Sequence, residues 1–346
     1  MKYYDFVERY TGVTECKSNV KYSRAGHSFC LELEDRAGVY WVYESENFII
    51  DIHDFFIKKE IIQNDVSDMP KFVSIYSSYM ISVSGESFNP YQTLIPNTLY
   101  TINFDKAKNS YRVLLHENSH YLAVAIGFKK GILEEYLSSI NIDYEEFFYE
   151  VFANSKNILT KALEPIAMDI LNCKMEMPAA EMFFESKARE WMSIVIDAYL
   201  NRRRVVISHD DDAALENVAK YIEDHYAFDI NQKTLEKISM MSGTKLKKLF
   251  KEKYQLSITE FTQRKRMNMA EVLLLNSQLS IKEIAKSVGY ASHSKFSGYF
   301  KKYKGAYPKD IRNISIHGKA ILECKDCIVR VKGKELVKSH NERVIK

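Results

Sequence analysis

Two groups of residues have the types and spacing that metal chemistry requires. The first is His116, Glu117 and His120, which match the H-E-x-x-H pattern. On a helix, the two histidines of that pattern bind zinc and the glutamate activates water for peptide hydrolysis. The residues after His120 instead alternate as in a strand, which would place the two histidines about 13 Å apart at ~3.3 Å per residue. We therefore expect a polar strand or turn at this site, with a zinc metallopeptidase domain as the alternative.

The second group is Cys324 and Cys327 in the C-terminal tail. A single C-x-x-C without a second pair is a weak metal signal, and Ile321–Val331 could instead form a hairpin with Lys325 and Asp326 at its turn. We expect no metal and no other cofactor. The sequence has no G-x-G-x-x-G, phosphate-binding loop or nucleophile elbow, so nothing in it supports an enzyme.

Cysteine usage and the chain's apolar runs indicate the compartment. The sequence has five cysteines without a repeating spacing, which is not the pattern of a disulfide-stapled secreted domain. No apolar run follows the N-terminus, and the longest apolar stretch, Tyr121–Phe128, is much shorter than the ~20 residues that cross a bilayer. We expect a cytoplasmic protein without a membrane segment.

The small net charge of +3 conceals two segments of opposite sign. Residues 1–232 carry 23 Lys and Arg against 36 Asp and Glu. Residues 233–312 carry 18 against 6, and the last 34 residues carry 8 against 4. Such asymmetry is typical of a nucleic-acid-binding module joined to an acidic domain. Taken without other evidence, the charge distribution fits a solvated surface of mixed charge equally well.

Two stretches of the basic segment share one design: a short helix, a tight turn and a second helix. Ser242 and Ser292 can cap the second helices, and Gly289 supplies the positive φ at which the helix before the second turn must stop. One face of each second helix is apolar, and the other is cationic and hydrogen-bonding, as a helix in the major groove requires. We predict DNA contacts from Ser242, Thr244, Lys245, Lys247, Lys248, Lys251, Ser292, His293, Ser294, Lys295, Ser297 and Lys301.

The segment between the two copies predicts one long helix over Ser257–Asn276. Its outer face is expected to carry Arg264, Lys265 and Arg266, of which we predict that the two arginines contact DNA. At 1.5 Å per residue this helix spans about 30 Å, close to one turn of B-DNA. Two recognition helices could therefore enter successive major grooves on one side of the duplex.

Residues 215–312 resemble the C-terminal domain of AraC/XylS-type bacterial transcription regulators. The resemblance rests on the eleven residues that begin at Arg264, the run Ser280-Ile-Lys-Glu-Ile-Ala-Lys-Ser-Val-Gly-Tyr, and the later Gly305, Pro308 and Arg312. It implies a double helix-turn-helix unit, usually in a promoter activator and usually after a cupin-like sensing and dimerisation domain. Two positions depart from the pattern: Gly298 stands where the family often has a DNA-reading side chain, and Tyr307 replaces the usual cap before Pro308.

The first ~130 residues consist of short Tyr-, Phe-, Val- and Ile-rich runs between turn signals, which favour a small β-barrel or jelly roll. Helical patterns follow, and the longest begins at Pro178. An apolar stripe on it, Phe184, Ala188, Trp191, Val195 and Ala198, has the spacing of a coiled-coil seam. Self-association through this stripe and packing of the stripe on the barrel explain it equally well.

These patterns together predict an α+β chain in four parts. A cupin-like β-rich sensing domain covers 1–130, a helical dimerisation region 131–205, a DNA-binding domain 210–312, and a tail of unassigned role 313–346. The predicted function is a DNA-binding transcription regulator, an activator by resemblance. Its expected partners are promoter DNA, RNA polymerase, a small-molecule effector and a second copy of the chain. The alternative is a zinc metallopeptidase fused to a DNA-binding module.

Overall fold

The computed structural model describes residues 2–13, 15–16, 21–64, 66, 68–88, 91–104, 111–129, 131–144, 147, 156–200 and 207–317. Strands dominate the N-terminal half of this part of the chain and helices its C-terminal third, which confirms the predicted α+β class. Within the same residues, no helix is both long and apolar enough to cross a bilayer. Cys324 and Cys327 lie outside the described residues.

The described strands form two antiparallel sheets, preceded by helix α1 (Tyr3–Thr11). The larger sheet has the order β1-β2-β3-β10-β5-β8 and the smaller β4-β9-β6-β7. Two sheets match a jelly roll better than a single closed barrel. The strands are β1 (His27–Glu32), β2 (Arg36–Glu44), β3 (Phe48–Ile57), β4 (Ile61–Gln63), β5 (Ile75–Ser82), β6 (Gly85–Phe88), β7 (Gln92–Leu94), β8 (Thr98–Asn103), β9 (Arg112–Leu115) and β10 (Ser119–Phe128).

The larger sheet is buried on both faces, as the alternating residues of its central strand β10 show. Leu122, Val124 and Ile126 point to a core shared with helices, whereas Ala123 and Ala125 point to a core shared with the smaller sheet and α1. Successive side chains of a strand project to opposite faces, so a strand between two cores is apolar at nearly every position. This explains why β10 is the longest apolar run in the sequence.

After the sheets, the described residues contain three helices before Leu200: α2 (Ile132–Ser139), α3 (Lys156–Asn172) and α4 (Ala179–Leu200). The apolar stripe of α4 packs on the larger sheet. Phe184 lies 5.3 Å from Trp41 between ring centroids, and the indole of Trp191 donates a hydrogen bond to Ser77 Oγ at 3.2 Å. Of the two explanations for the stripe, packing within the chain is the one observed. The buried side chains of the stripe are occupied within the chain, and dimerisation of the helical region 131–205 stays a prediction.

The C-terminal helices are α5 (His209–His225), α6 (Gln232–Ser239), α7 (Gly243–Tyr254), α8 (Ile258–Asn276), α9 (Ile281–Ser287), α10 (His293–Lys304) and α11 (Pro308–His317). They belong to two cores. Helices α5, α6 and α7 enclose one of their own, which includes Leu215, Leu246 and Phe250. Phe296 and Phe300 of α10 instead belong to the core that also contains the larger sheet, α3 and α4. The second half of the helical domain is thus built onto the N-terminal domain.

Candidate nucleic-acid interface

Helices α6 and α7 form one helix-turn-helix, and α9 and α10 form the other. The side chain of Ser242 accepts a hydrogen bond from the backbone N–H of Lys245 at 3.4 Å, and Ser292 accepts one from Lys295 at 3.3 Å. The two predicted caps therefore start the second helix of each unit. Left-handed backbone occurs at both turns, at Met240 (φ 54°) and Gly289 (φ 83°). At Gly289 a Cβ would lie 2.5 Å from the carbonyl oxygen of Ala227, so only glycine fits there.

Helix α7 has an apolar back and a cationic front, as predicted from its sequence. Leu246 and Phe250 are fully buried in the core of the first unit. The front side chains are exposed, and they are Thr244, Lys245, Lys247, Lys248 and Lys251. Burying the apolar back holds the helix in place while the lysines stay accessible to phosphates and base edges.

Helix α10 repeats this arrangement with smaller side chains at its front. Phe296 and Phe300 are fully buried behind it. On the front, Ser297 is half-buried and the remaining predicted contacts are exposed, namely His293, Ser294, Lys295 and Lys301. Gly298 lies on the same face and is also exposed, and a Cβ there would meet no atom within 4 Å. The front of α10 is therefore flatter and less charged than that of α7.

Several front lysines contact acidic or aromatic side chains of the same chain. Lys245 Nζ lies 2.8 Å from Asp211 Oδ1 at the start of α5, and this pairing lowers the pKa of Asp211. Lys301 lies over the ring of Tyr307, 4.3 Å from its centroid. The contact with Asp211 was not predicted, because 34 residues separate the two positions and no local pattern connects them.

Arg264 does not face outwards, and the prediction that it contacts DNA from the outer face of α8 is wrong. Its side chain is buried, with Nη2 2.5 Å from Glu164 on α3 and 3.2 Å from Glu260 one turn earlier on α8. Its guanidinium also lies 5.5 Å from the ring centroid of Tyr303. Burial opposes its charge, but Glu164 and Tyr79 raise the pKa of Arg264 above its usual value. Helix α3 covers this face of α8, which the periodicity of α8 alone does not reveal.

Arg266 is half-buried, and its guanidinium joins the segment between α5 and α6 to the turn of the second helix-turn-helix unit. It donates hydrogen bonds to the carbonyl oxygens of Tyr226 at 2.7 Å, Phe228 at 2.9 Å and Gly289 at 3.2 Å. Every nitrogen of the guanidinium therefore has a backbone acceptor. Its charged end is directed at the loops of its own domain, and the DNA contact predicted for Arg266 stays a prediction.

The H-E-x-x-H residues do not form the helical turn that the zinc pattern needs. His116 and Glu117 precede β10, Asn118 has a left-handed backbone (φ 53°), and His120 lies within β10. The two imidazoles have separate partners. His116 pairs with Glu86 at 2.9 Å, whereas His120 is buried between Asp54 at 2.9 Å and Glu271 at 3.4 Å. This is the strand expected from the alternation after His120.

Comparison with known proteins places the resemblance in the same helices. The family model described as "Helix-turn-helix domain" matches residues 235–314. The Msm operon regulatory protein of Streptococcus mutans is 35% identical over 29% of this chain and 36% of its own length. The arabinose operon regulatory protein of Salmonella typhimurium is 28% identical over 37% of this chain and 48% of its own length. This chain therefore matches less than half of each of these two relatives.

Among solved structures, the C-terminal domain of the response regulator yesN from Fusobacterium nucleatum is 31% identical. The match covers 29% of this chain and 98% of that structure, with a TM-score of 0.28.

Proposed function

Because its C-terminal helices form an AraC-type helix-turn-helix domain, we propose that this chain is a sequence-specific DNA-binding transcription regulator. The observation that carries the proposal is the repeated recognition-helix design. In both α7 and α10, a buried apolar back supports an exposed front that can meet phosphates and base edges. A solvated surface helix needs neither the second helix-turn-helix nor the cap at each start.

The spacing of the two units supports binding to successive grooves. Helix α8 has 19 residues and spans about 29 Å at 1.5 Å per residue. That length is near the ~34 Å repeat of B-DNA, so α7 and α10 would contact major grooves one turn apart. The hydrogen bonds from Arg266 to Tyr226, Phe228 and Gly289 connect the segment that leads into the first unit with the turn of the second. Such a bipartite reader favours a DNA site with two half-sites about one turn apart.

The remaining parts of the proposal come from the family resemblance. We propose an activator that contacts RNA polymerase, because two of the relatives similar to this chain are described as the HTH-type transcriptional activator RhaS. We also propose a cytoplasmic location, a small-molecule effector bound by the N-terminal domain, and a homodimer. A dimer must use a surface other than the central stripe of α4, which is buried.

The experiment that tests this function begins with DNA fragments that the full chain binds in the cell. Duplexes of the recovered sequence are then titrated with the wild type, Lys248→Ala and Lys295→Ala. A lysine that reads a base edge is expected to cost ~1–3 kcal/mol of discrimination at one position, whereas a lysine on a phosphate weakens binding to every sequence alike.

The matched control is Lys59→Ala, which removes an exposed lysine of the N-terminal domain that pairs with Glu34. We expect this variant to bind the recovered DNA like the wild type. Unchanged affinity in both Lys248→Ala and Lys295→Ala would show that the fronts of α7 and α10 do not face DNA.

A further inference from the structure

Five charged side chains form a continuous path from the N-terminal segment through the larger sheet into the helical domain. Lys21 Nζ lies 2.6 Å from Asp54 Oδ2, and Asp54 Oδ1 lies 2.9 Å from His120 Nε2. On its other side, His120 Nδ1 lies 3.4 Å from Glu271 Oε1, and Glu271 Oε2 lies 2.8 Å from Lys304 Nζ. Cations and anions alternate along the whole path, which we call the charge path.

The inner members of the charge path are withdrawn from water. Asp54, His120, Glu271 and Lys304 are all buried. Burial lowers the pKa of His120, but its hydrogen bonds to Asp54 and Glu271 outweigh that effect and raise the pKa to about 9. Burial raises the pKa of Glu271, but Lys304 and His120 outweigh that effect and lower it to about 2. At neutral pH the imidazolium therefore lies between two carboxylates.

The charge path ends on the second recognition helix. Glu271 belongs to α8, and Lys304 is the last residue of α10. Lys304 Nζ also donates a hydrogen bond to the carbonyl oxygen of Ile81 on β5, at 3.4 Å. The C-terminal end of α10 is thus bonded both to α8 and to the larger sheet. Helix α7 of the first unit packs in the separate core that contains Leu246 and Phe250, and it contacts α3, a helix that carries no member of the charge path.

We propose that the charge path transmits the state of the N-terminal domain to the second recognition helix and leaves the first recognition helix largely unaffected. The inference rests on the proposed function, since a change at a recognition helix alters activity only through the affinity for DNA. Its physical basis is that removing one partner of a buried ion pair leaves an uncompensated charge, which is strongly unfavourable. A change in β3 or β10 that separates His120 from either carboxylate therefore also shifts the position of Glu271 and Lys304.

A double-mutant cycle on the full chain tests this coupling. The probe is a duplex that the wild type binds in the cell, and the variants are His120→Gln, Lys295→Ala on α10, Lys248→Ala on α7, and the two combinations with His120→Gln. We expect His120→Gln to change the effect of Lys295→Ala on affinity by about fivefold or more, the low end of typical coupling between sites. The effect of Lys248→Ala is expected to stay within about twofold. Equal coupling to both lysines, or none, would overturn the proposal.

A second variant and a second measurement keep the test independent of folding and of DNA binding. Lys304→Met retains an unbranched apolar side chain and leaves the pair of His120 and Glu271 intact, so it enters the same cycle if His120→Gln does not fold. Hydrogen exchange of the free chain is the second measurement. We expect the backbone amides of α10 to exchange faster in either variant and those of α7 to be unchanged. If the wild type binds no duplex, the proposed function fails. If a variant changes the exchange rates of α7 and α10 by the same factor, or changes neither, the coupling is rejected and the proposed function stands.

Discussion

Replacing Arg264 by alanine distinguishes the observed position of this residue from the one that its helix face predicts. Its guanidinium pairs with Glu164 and Glu260, whose side chains are only 18% and 25% exposed. The replacement leaves two largely buried carboxylates with Lys161 as their nearest cation. Removing one partner of a buried ion pair costs about 3–5 kcal/mol, and we expect the low end because both carboxylates keep some contact with water.

Urea denaturation of the full chain, followed by the fluorescence of Trp41 and Trp191, measures this loss. The matched control is Lys265→Ala, the adjacent and half-buried position on α8, which we expect to shift the denaturation midpoint by much less. The double variant Arg264→Met with Glu164→Leu replaces a charged pair by apolar side chains of similar size, so we expect it to recover most of the lost stability. An unchanged midpoint for Arg264→Ala combined with weaker DNA binding would refute the structural role and restore the predicted contact.

Three further outcomes follow from single contacts. The pKa of His120 in the folded chain, about 9, is above its ordinary 6.5, so the stability that the protonated imidazole contributes is complete below pH 6.5 and is lost as the pH rises through 9. The difference in denaturation midpoint between wild type and His120→Gln should therefore narrow between about pH 6 and pH 10. A constant difference would contradict a protonated His120 between the two carboxylates. Asp211→Asn removes the ion pair with Lys245 and should tighten DNA binding about two- to fivefold at low salt. The matched change Asp210→Asn, at the exposed neighbour, should tighten it less. Equal increases in affinity would mean that net charge alone matters. Gly298→Ala should stabilise α10 by about 0.5–1 kcal/mol, because alanine is more favourable than glycine inside a helix. The same change should weaken DNA binding measured by titration, because the added methyl group projects from the side that faces DNA. Unchanged affinity would place that face away from the duplex.

The two helix-turn-helix units could be predicted from the sequence because their signals are local. Ser242 and Ser292 cap helices within three residues of themselves, and Gly289 marks a turn at its own position. The alternation after His120 likewise predicted a strand. Each of these features needs only the residues next to it.

The placement of Arg264 and His120 could not be predicted, because their partners are far away in the sequence. Arg264 meets Glu164 100 residues earlier, and His120 meets Glu271 151 residues later. A helix pattern shows which faces are polar, but not which polar face another domain covers. The stripe of α4 had the same ambiguity, since an apolar seam does not reveal whether it packs on a sheet or on a second copy.

The central claim is that the exposed fronts of α7 and α10 bind duplex DNA through its phosphates and base edges. The most direct measurement is the salt dependence of binding by the full chain to a duplex recovered from the cell. Neutralising ~6 phosphates predicts a slope of log affinity against log salt near −5, reduced by about 1 for each phosphate-contacting lysine removed, as in Lys248→Ala or Lys295→Ala. A flat salt response, or a slope that neither substitution changes, would contradict the claim.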